Sequence, residues 1–179
     1  VAEAPQAKYS FPVGAQYAGS LGYPADLLAT LPAAATEAFT GLSNISILAD
    51  LPTGATVLDL GCGSGLDSLI AARRVGPTGK VIGLDFSEAM VTRARQAAAE
   101  AGLTNVEFRR ADAEGLPIGD ASIDVAIVNG LINLVPARDE IFRQLARGVR
   151  PGGAVYCAEV ILREPLPPEE AANIANWFA

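Results

Sequence analysis

The chain has 179 residues, half of them apolar, with 18% charged residues and a mean hydropathy of +0.29, a composition that fills one buried core and excludes a disordered chain. Thirteen lysines and arginines against twenty aspartates and glutamates leave a net charge of -7, which repels a phosphate backbone or an anionic bilayer and argues against nucleic acid or membrane partners. No apolar run approaches the roughly 20 residues of a membrane-spanning helix, and the first residues lack a basic flank with an apolar segment, so a cytoplasmic protein is expected.

Residues 1–54 hold Pro24, Pro32 and Pro52 between short Ala- and Leu-rich stretches, which predicts two or three small helices forming a lid over one end of the fold. From residue 55 the chain alternates short β-branched runs with longer Ala-rich stretches of helical period, the pattern of parallel strands joined by crossover helices. Strands are predicted over residues 56–60, 81–85, 106–109, 123–129 and 154–161, each apolar enough to be covered on both faces. Between the first two, Leu66, Leu69 and Ile70 mark a helix that Gly76 and Pro77 stop. A second helix runs from Ser87 as N-cap to Gly102 beyond its C-terminus, with Met90, Val91, Ala94 and Ala98 on one face. Pro136 opens a third, carrying Ile141, Phe142 and Leu145, before a turn at Arg150-Pro151-Gly152-Gly153. The reading is an α/β, Rossmann-like, doubly wound and mostly parallel sheet over residues 55–162, preceded by the lid and followed by a tail or partial helix over 163–179.

The residues that carry chemistry begin with VLDLGCGSG at positions 57–65. Gly61, Gly63 and Gly65 permit a tight turn with bare backbone, so a ligand can approach amide groups at a helix N-terminus. A dinucleotide site wants a third glycine at position 66, where Leu66 stands. Glycines at alternate positions after Asp59 instead match the pattern associated with S-adenosylmethionine. Asp85 closes the second strand, where a carboxylate can accept both ribose hydroxyls, and Asp112 follows the third, placed to accept from an adenine amino group. Phe86 and Met90 offer apolar faces to the ring. Carboxyl ends of parallel strands form one crevice, so these acids are expected to converge.

These stretches resemble the core of class I S-adenosylmethionine-dependent methyltransferases over residues 55–161, and GLDSLIAARRVGPTGKVIGLDFSEAM, NVEFRRADAEGLP and VNGLINLVPARDEIFRQLARGVRPGG resemble the arsenite methyltransferase branch. The resemblance implies that Asp59, Gly61, Cys62, Gly63 and Gly65 surround the methionine end of S-adenosyl-L-methionine and Asp85 the ribose. Phe86 and Met90 would face the adenine, Asp112 with Ala113 its edge, and Asn129 would lie near the sulfonium. The branch binds trivalent arsenic through cysteines, and where two of them are expected this chain has Leu42 and Gly130. Cys62 and Cys157 are expected to be inert packing residues, the latter within a buried strand, and no metal site is expected.

The chain contains no histidine, which removes imidazole relays. Methyl transfer tolerates that, because an in-line displacement on an already nucleophilic acceptor needs positioning and water exclusion rather than an acid or base. The expected activity is methylation of a small-molecule acceptor, with no catalytic residue assigned. A cofactor-binding but silent domain and a nicotinamide-dependent oxidoreductase stand as alternatives. Tyr9, Tyr17 and Tyr23 could shape the acceptor pocket. With eighteen residues after Ile161, no antiparallel strand pair is expected to close the sheet, leaving the fifth strand as an edge open to residues 169–178 or to a second copy.

Overall fold

The five apolar runs assemble into a single all-parallel sheet in a computed structural model that describes residues 1–161 and 163–164. The strands are β1 (Thr56–Leu60), β2 (Lys80–Asp85), β3 (Val106–Arg110), β4 (Ile123–Asn129) and β5 (Val149–Ala158), ordered β3-β2-β1-β4-β5. The order reverses between β1 and its neighbours β2 and β4, so a crevice opens beyond the carboxyl ends of β1 and β4. The predicted helix of residues 169–178 lies outside the described residues.

Strand alternation divides the core into two faces. Leu58, Leu60, Ile82, Leu84, Ala126 and Val128 point to the face covered by α7 (Arg138–Gly148) through Ile141 and Leu145. Val57, Val81, Val125 and Ile127 point to the face covered by α5 (Leu66–Val75) through Ala71, Ala72 and Val75. α6 (Glu88–Glu100) joins α5 through Val91, Ala94 and Ala97. Its predicted signals hold: the Met90 N–H donates to Ser87 Oγ at 3.4 Å, and Gly102 adopts φ 65° after the last turn.

Residues 1–54 carry four short helices rather than two or three: α1 (Ala15–Ser20), α2 (Ala25–Ala29), α3 (Ala33–Thr36) and α4 (Ile45–Leu48). They are packed into the body of the fold, since Ala18, Tyr23, Leu31, Ala35 and Phe39 share one buried cluster with Leu66, Leu69 and Ile70 of α5. Cationic side chains reach across to free carbonyls: Arg74 donates to the carbonyls of Ser46, Ile47 and Ala49 at the end of α4, and Arg93 to Ala34 O and to Glu37. No helix among the described residues is long and apolar enough to cross a membrane.

Three local expectations are corrected. β5 starts at Val149 rather than 154, and the predicted turn lies inside it: Ile123 pairs with Val149 and Val125 with Ala154, so residues 150–153 bulge opposite Asp124. Asp124 fills the gap by accepting from Thr56 N–H at 2.6 Å and from Arg150 Nε at 2.5 Å. Phe142 is 51% exposed although Ile141 and Leu145 are buried, because the 100° step per residue turns it off the shared i, i+4 face. Cys157 is exposed, not buried, because it shares one face of β5 with exposed Val155, while Tyr156 and Ala158 point to the opposite, packed face.

Candidate active site

The turn after β1 shows why glycines are needed there. Gly61, Gly63 and Gly65 have φ of 76°, 51° and 89°, a region that L side chains rarely occupy. A Cβ on Gly61 would lie 3.1 Å from the Leu131 side chain, and one on Gly65 3.0 Å from the Phe108 ring. A Cβ on Gly63 would meet nothing within 4 Å, so its backbone borders open space. A cavity of about 40 Å³ lies over this turn. Asp59, Gly61, Cys62, Gly63 and Asn129 line it from below, and Phe39, Thr40 and Gly41 of the N-terminal region roof it. Five of the residues singled out in the sequence line this one cavity, together with residues from the N-terminal region.

Beneath the turn lies a set of buried polar groups that face one another. Asp59 falls on the α5 side of β1, where Ser68 Oγ donates to its Oδ2 at 2.5 Å. Burial raises its carboxyl most, the charge of Asp67 adds to that, and its pKa is pushed up to about 8. Asp67, in the first turn of α5, accepts from Tyr23 Oη at 2.5 Å and from Asn129 Nδ2 at 2.9 Å. Burial raises its pKa and these hydrogen bonds oppose the rise. Burial also pushes the Cys62 thiol well up, with Asp59 and Asp85 adding to it, which keeps it protonated and inert.

Asn129 ends β4 as expected, but its amide is fully engaged. Its Oδ1 accepts from Leu42 N–H at 2.7 Å and Ser43 N–H at 3.1 Å, and its Nδ2 donates to Ser43 O at 2.8 Å as well as to Asp67. Tyr23 is likewise buried in this network, donating to Ser43 O at 3.0 Å, rather than shaping an acceptor pocket. Tyr17 packs on Phe39, and Tyr9 stacks on Phe11 with its hydroxyl on Ala4 O. The loop after β4 is fixed by Glu159, which accepts from the Leu131 and Ile132 N–H groups at 2.8 and 2.6 Å.

The remaining predicted residues follow the crevice away from the roof. Asp85, ending β2, accepts from Gly63 N–H at 2.8 Å through Oδ2 and from Ser87 N–H at 2.9 Å through Oδ1. Burial raises its pKa, and the two amide hydrogen bonds hold it down. A carboxylate offers about four acceptor positions, so two stay available on Asp85. Phe86 is 65% exposed, Met90 is half-buried, Asp112 is exposed and Ala113 is half-buried. Asp67, Ser68 and Glu159 were missed, and Tyr23 was expected at the acceptor pocket rather than in the buried network. Only Asp67 had a local signal, an acid in the first turn of a helix, and that is equally the mark of an ordinary helix start.

An open parallel sheet whose glycine turn and acid-tipped strands face one crevice defines a class I S-adenosylmethionine-dependent methyltransferase fold. The family described as Methyltransferase domain matches residues 51–179, and the chain belongs to that family. S-adenosylmethionine is the cofactor that this membership implies. The chain is 40% identical over 149 residues to an arsenite methyltransferase from Halobacterium salinarum, covering 83% of this chain and 38% of that one. It is 38% identical over 107 residues to a demethylmenaquinone methyltransferase from Lactococcus lactis subsp. lactis, covering 60% of this chain and 42% of that one. The solved arsenic (III) S-adenosylmethionine methyltransferase from Chlamydomonas reinhardtii matches with a TM-score of 0.69 at 28% identity, over 90% of this chain and 54% of that one. The chain thus spans about two fifths of the length of these two curated relatives.

The residues present fit the cofactor. Bare backbone at Gly63 borders open space where a side chain would stand in most turns, and the adjacent Asp85 keeps acceptor capacity at the crevice edge.

Proposed function

We propose that this chain is the cofactor-binding and catalytic core of an S-adenosylmethionine-dependent methyltransferase that acts on a small-molecule acceptor. The observation that carries the reading is the open cradle over Gly63 flanked by Asp85, itself anchored to the Gly63 N–H. In this reading residues 1–54 form the lid and residues 55–162 the core. Asp59 and the 61–65 turn take the charged amino-acid end, and Asp85 takes the ribose hydroxyls. Phe86 and Met90 take the adenine face, and Asp112 with Ala113 its edge. Asn129 shapes the wall through the roof loop that it holds.

When bound, the cofactor supplies an electrophilic methyl group on a sulfonium. The residues of the chain supply placement and exclusion of water: Phe39, Thr40 and Gly41 close over the turn, and apolar Leu131 backs it. A cation beside Asp59 favours its ionised form, so binding near neutral pH is accompanied by proton release. The two thiols of the chain offer no shared arsenic site, since Cys62 is buried under the turn and Cys157 is exposed on the outer strand. That supports an acceptor that is nucleophilic in its own right, such as a quinol or enolate, over arsenite held by this chain. The outer edge of β5, with Val155 exposed on the strand and Val160 and Ile161 exposed just after it, is proposed as a surface for self-association, and a clean monomer by light scattering would count against it.

The test is calorimetric titration with S-adenosylmethionine, S-adenosylhomocysteine and NAD, followed by turnover across arsenite, thiol, phenol and quinol acceptors. Binding of the two sulfur nucleosides with methyl transfer to one acceptor class is expected. Preferential binding of NAD would overturn the assignment.

A further inference from the structure

One buried carboxylate joins three separate parts of the fold and is left without a task by the reading above. Asp67 stands on α5, yet its two oxygens are taken by two different parts of the molecule: Oδ1 by the hydroxyl of Tyr23 from the N-terminal region, Oδ2 by the amide of Asn129 at the tip of β4. Both partners then converge on one stretch of backbone. Asn129 accepts from the N–H groups of Leu42 and Ser43 and donates to Ser43 O, and the single Tyr23 O–H lies between Asp67 Oδ1 and Ser43 O, at 2.5 and 3.0 Å. That stretch continues directly into Gly41, Thr40 and Phe39, which roof the cavity over the glycine turn.

The orientation of the Asn129 amide decides whether this works. Its oxygen must face two backbone donors and its nitrogen two acceptors. The Leu42 and Ser43 N–H groups and Ser43 O favour this orientation, and the Asp67 carboxylate is the side-chain acceptor that completes it. Gly41 adds a steric demand, since a Cβ there would come within 2.5 Å of Asn129 Nδ2 and 2.6 Å of the Phe39 ring, so the roof rests directly on the oriented amide. Buried polar networks of this kind specify one arrangement when every member is satisfied and lose it when one acceptor is replaced by a donor.

We propose that Asp67 is a positioning residue that, by orienting Asn129 and Tyr23, fixes the Phe39–Ser43 segment as the roof of the cofactor pocket and so sets how long the nucleoside is retained. The retention part rests on the proposed cofactor; the positioning of the roof does not.

The experiment compares wild type with Asp67→Asn and Tyr23→Phe by amide hydrogen exchange and by the rate of S-adenosylmethionine dissociation. Asp67→Asn keeps one oxygen for Asn129 and turns an NH2 group toward Tyr23, whose hydroxyl loses its charged acceptor and is left to donate to Ser43 O alone. Exchange at Leu42 and Ser43 is expected to rise about tenfold, with Val57 and Leu84 in the central strands little changed. Tyr23→Phe, which deletes one hydroxyl, gives a smaller rise at the same two amides and decides the matter should Asp67→Asn not fold. Dissociation of the nucleoside is expected to quicken in the same order, with the association rate nearly constant. Unchanged exchange at Leu42 and Ser43, or an equal rise throughout the sheet, would overturn the positioning role. Equal dissociation rates despite the local rise would overturn the retention role. Absence of nucleoside binding to wild type, with the exchange contrast intact, would sink the cofactor assignment and leave the roof assignment standing.

Discussion

The two ends of the crevice are built on opposite plans. Under the roof, buried Asp59, Asp67, Ser68 and Tyr23 and half-buried Asn129 are held by hydrogen bonds within the protein. Along β2 and β3, Phe86 and Asp112 stand in solvent, and Asp85 keeps acceptor positions free beside two amide donors. The roofed end is preorganised, with strength and shape set before any ligand arrives. The open end holds groups whose partners must come from outside. Changes under the roof should therefore move the stability of the protein itself, and changes along the open end should move affinity alone.

The largest contrast is expected in pH dependence. An aspartate in the unfolded chain titrates near about 3.9, whereas Asp59 in the fold is pushed up to about 8. Between those values the folded state holds a proton that the unfolded state has released. Its contribution to stability is therefore complete below about pH 4 and is lost as pH rises toward 8, by at most about 1.4 kcal/mol per pH unit. Asp67 and Asp85, also raised, act in the same direction. Thermal unfolding of the unliganded protein across this range should show Tm falling with pH, and Asp59→Asn should flatten the fall. A Tm that climbs steadily from pH 5 to 8 would contradict the buried-acid description.

At the open end, Asp85→Ala should weaken S-adenosylmethionine binding by about 1–3 kcal/mol, the cost of a lost charge-assisted hydrogen bond. Equal affinity for the variant and wild type in calorimetry would remove Asp85 from the site. Between the two ends, Gly63→Ala fills the cradle with a methyl group in a left-handed conformation that costs about 1–2 kcal/mol of stability. It should lower affinity by a similar amount, and a variant that binds normally would show that the ligand does not approach that backbone. The smallest effect belongs to Phe86→Ala. With the ring 65% exposed, its removal should leave Tm unchanged and reduce nucleoside affinity by about 1 kcal/mol through lost stacking. A lowered Tm would instead give Phe86 a packing role.

Much of this was written in the linear order of residues. Short β-branched apolar runs located β1 to β4, the helical repeat with Ser87, Gly76 and Gly102 as punctuation located α5 and α6, and the strand–glycine–helix passage at residues 57–66 pointed to a ligand turn. These are local properties, because backbone pairing, capping and positive φ depend on near neighbours in the chain. The extension of β5 back to Val149 depended on a distant partner, since the bulge lies opposite Asp124, which accepts from Arg150. The exposure of Cys157 and Phe142 likewise depended on what lies across from them. The acid network was beyond sequence reading for the same reason: Tyr23, Asp67 and Asn129 are separated by 44 and 62 residues, and only the tertiary fold brings the N-terminal region, α5 and the end of β4 within hydrogen-bond reach. Sequence determined which strand ends would carry acids and glycines; the tertiary fold decided which acids lose their water and face each other, because desolvation and Coulomb coupling are set by distance in space.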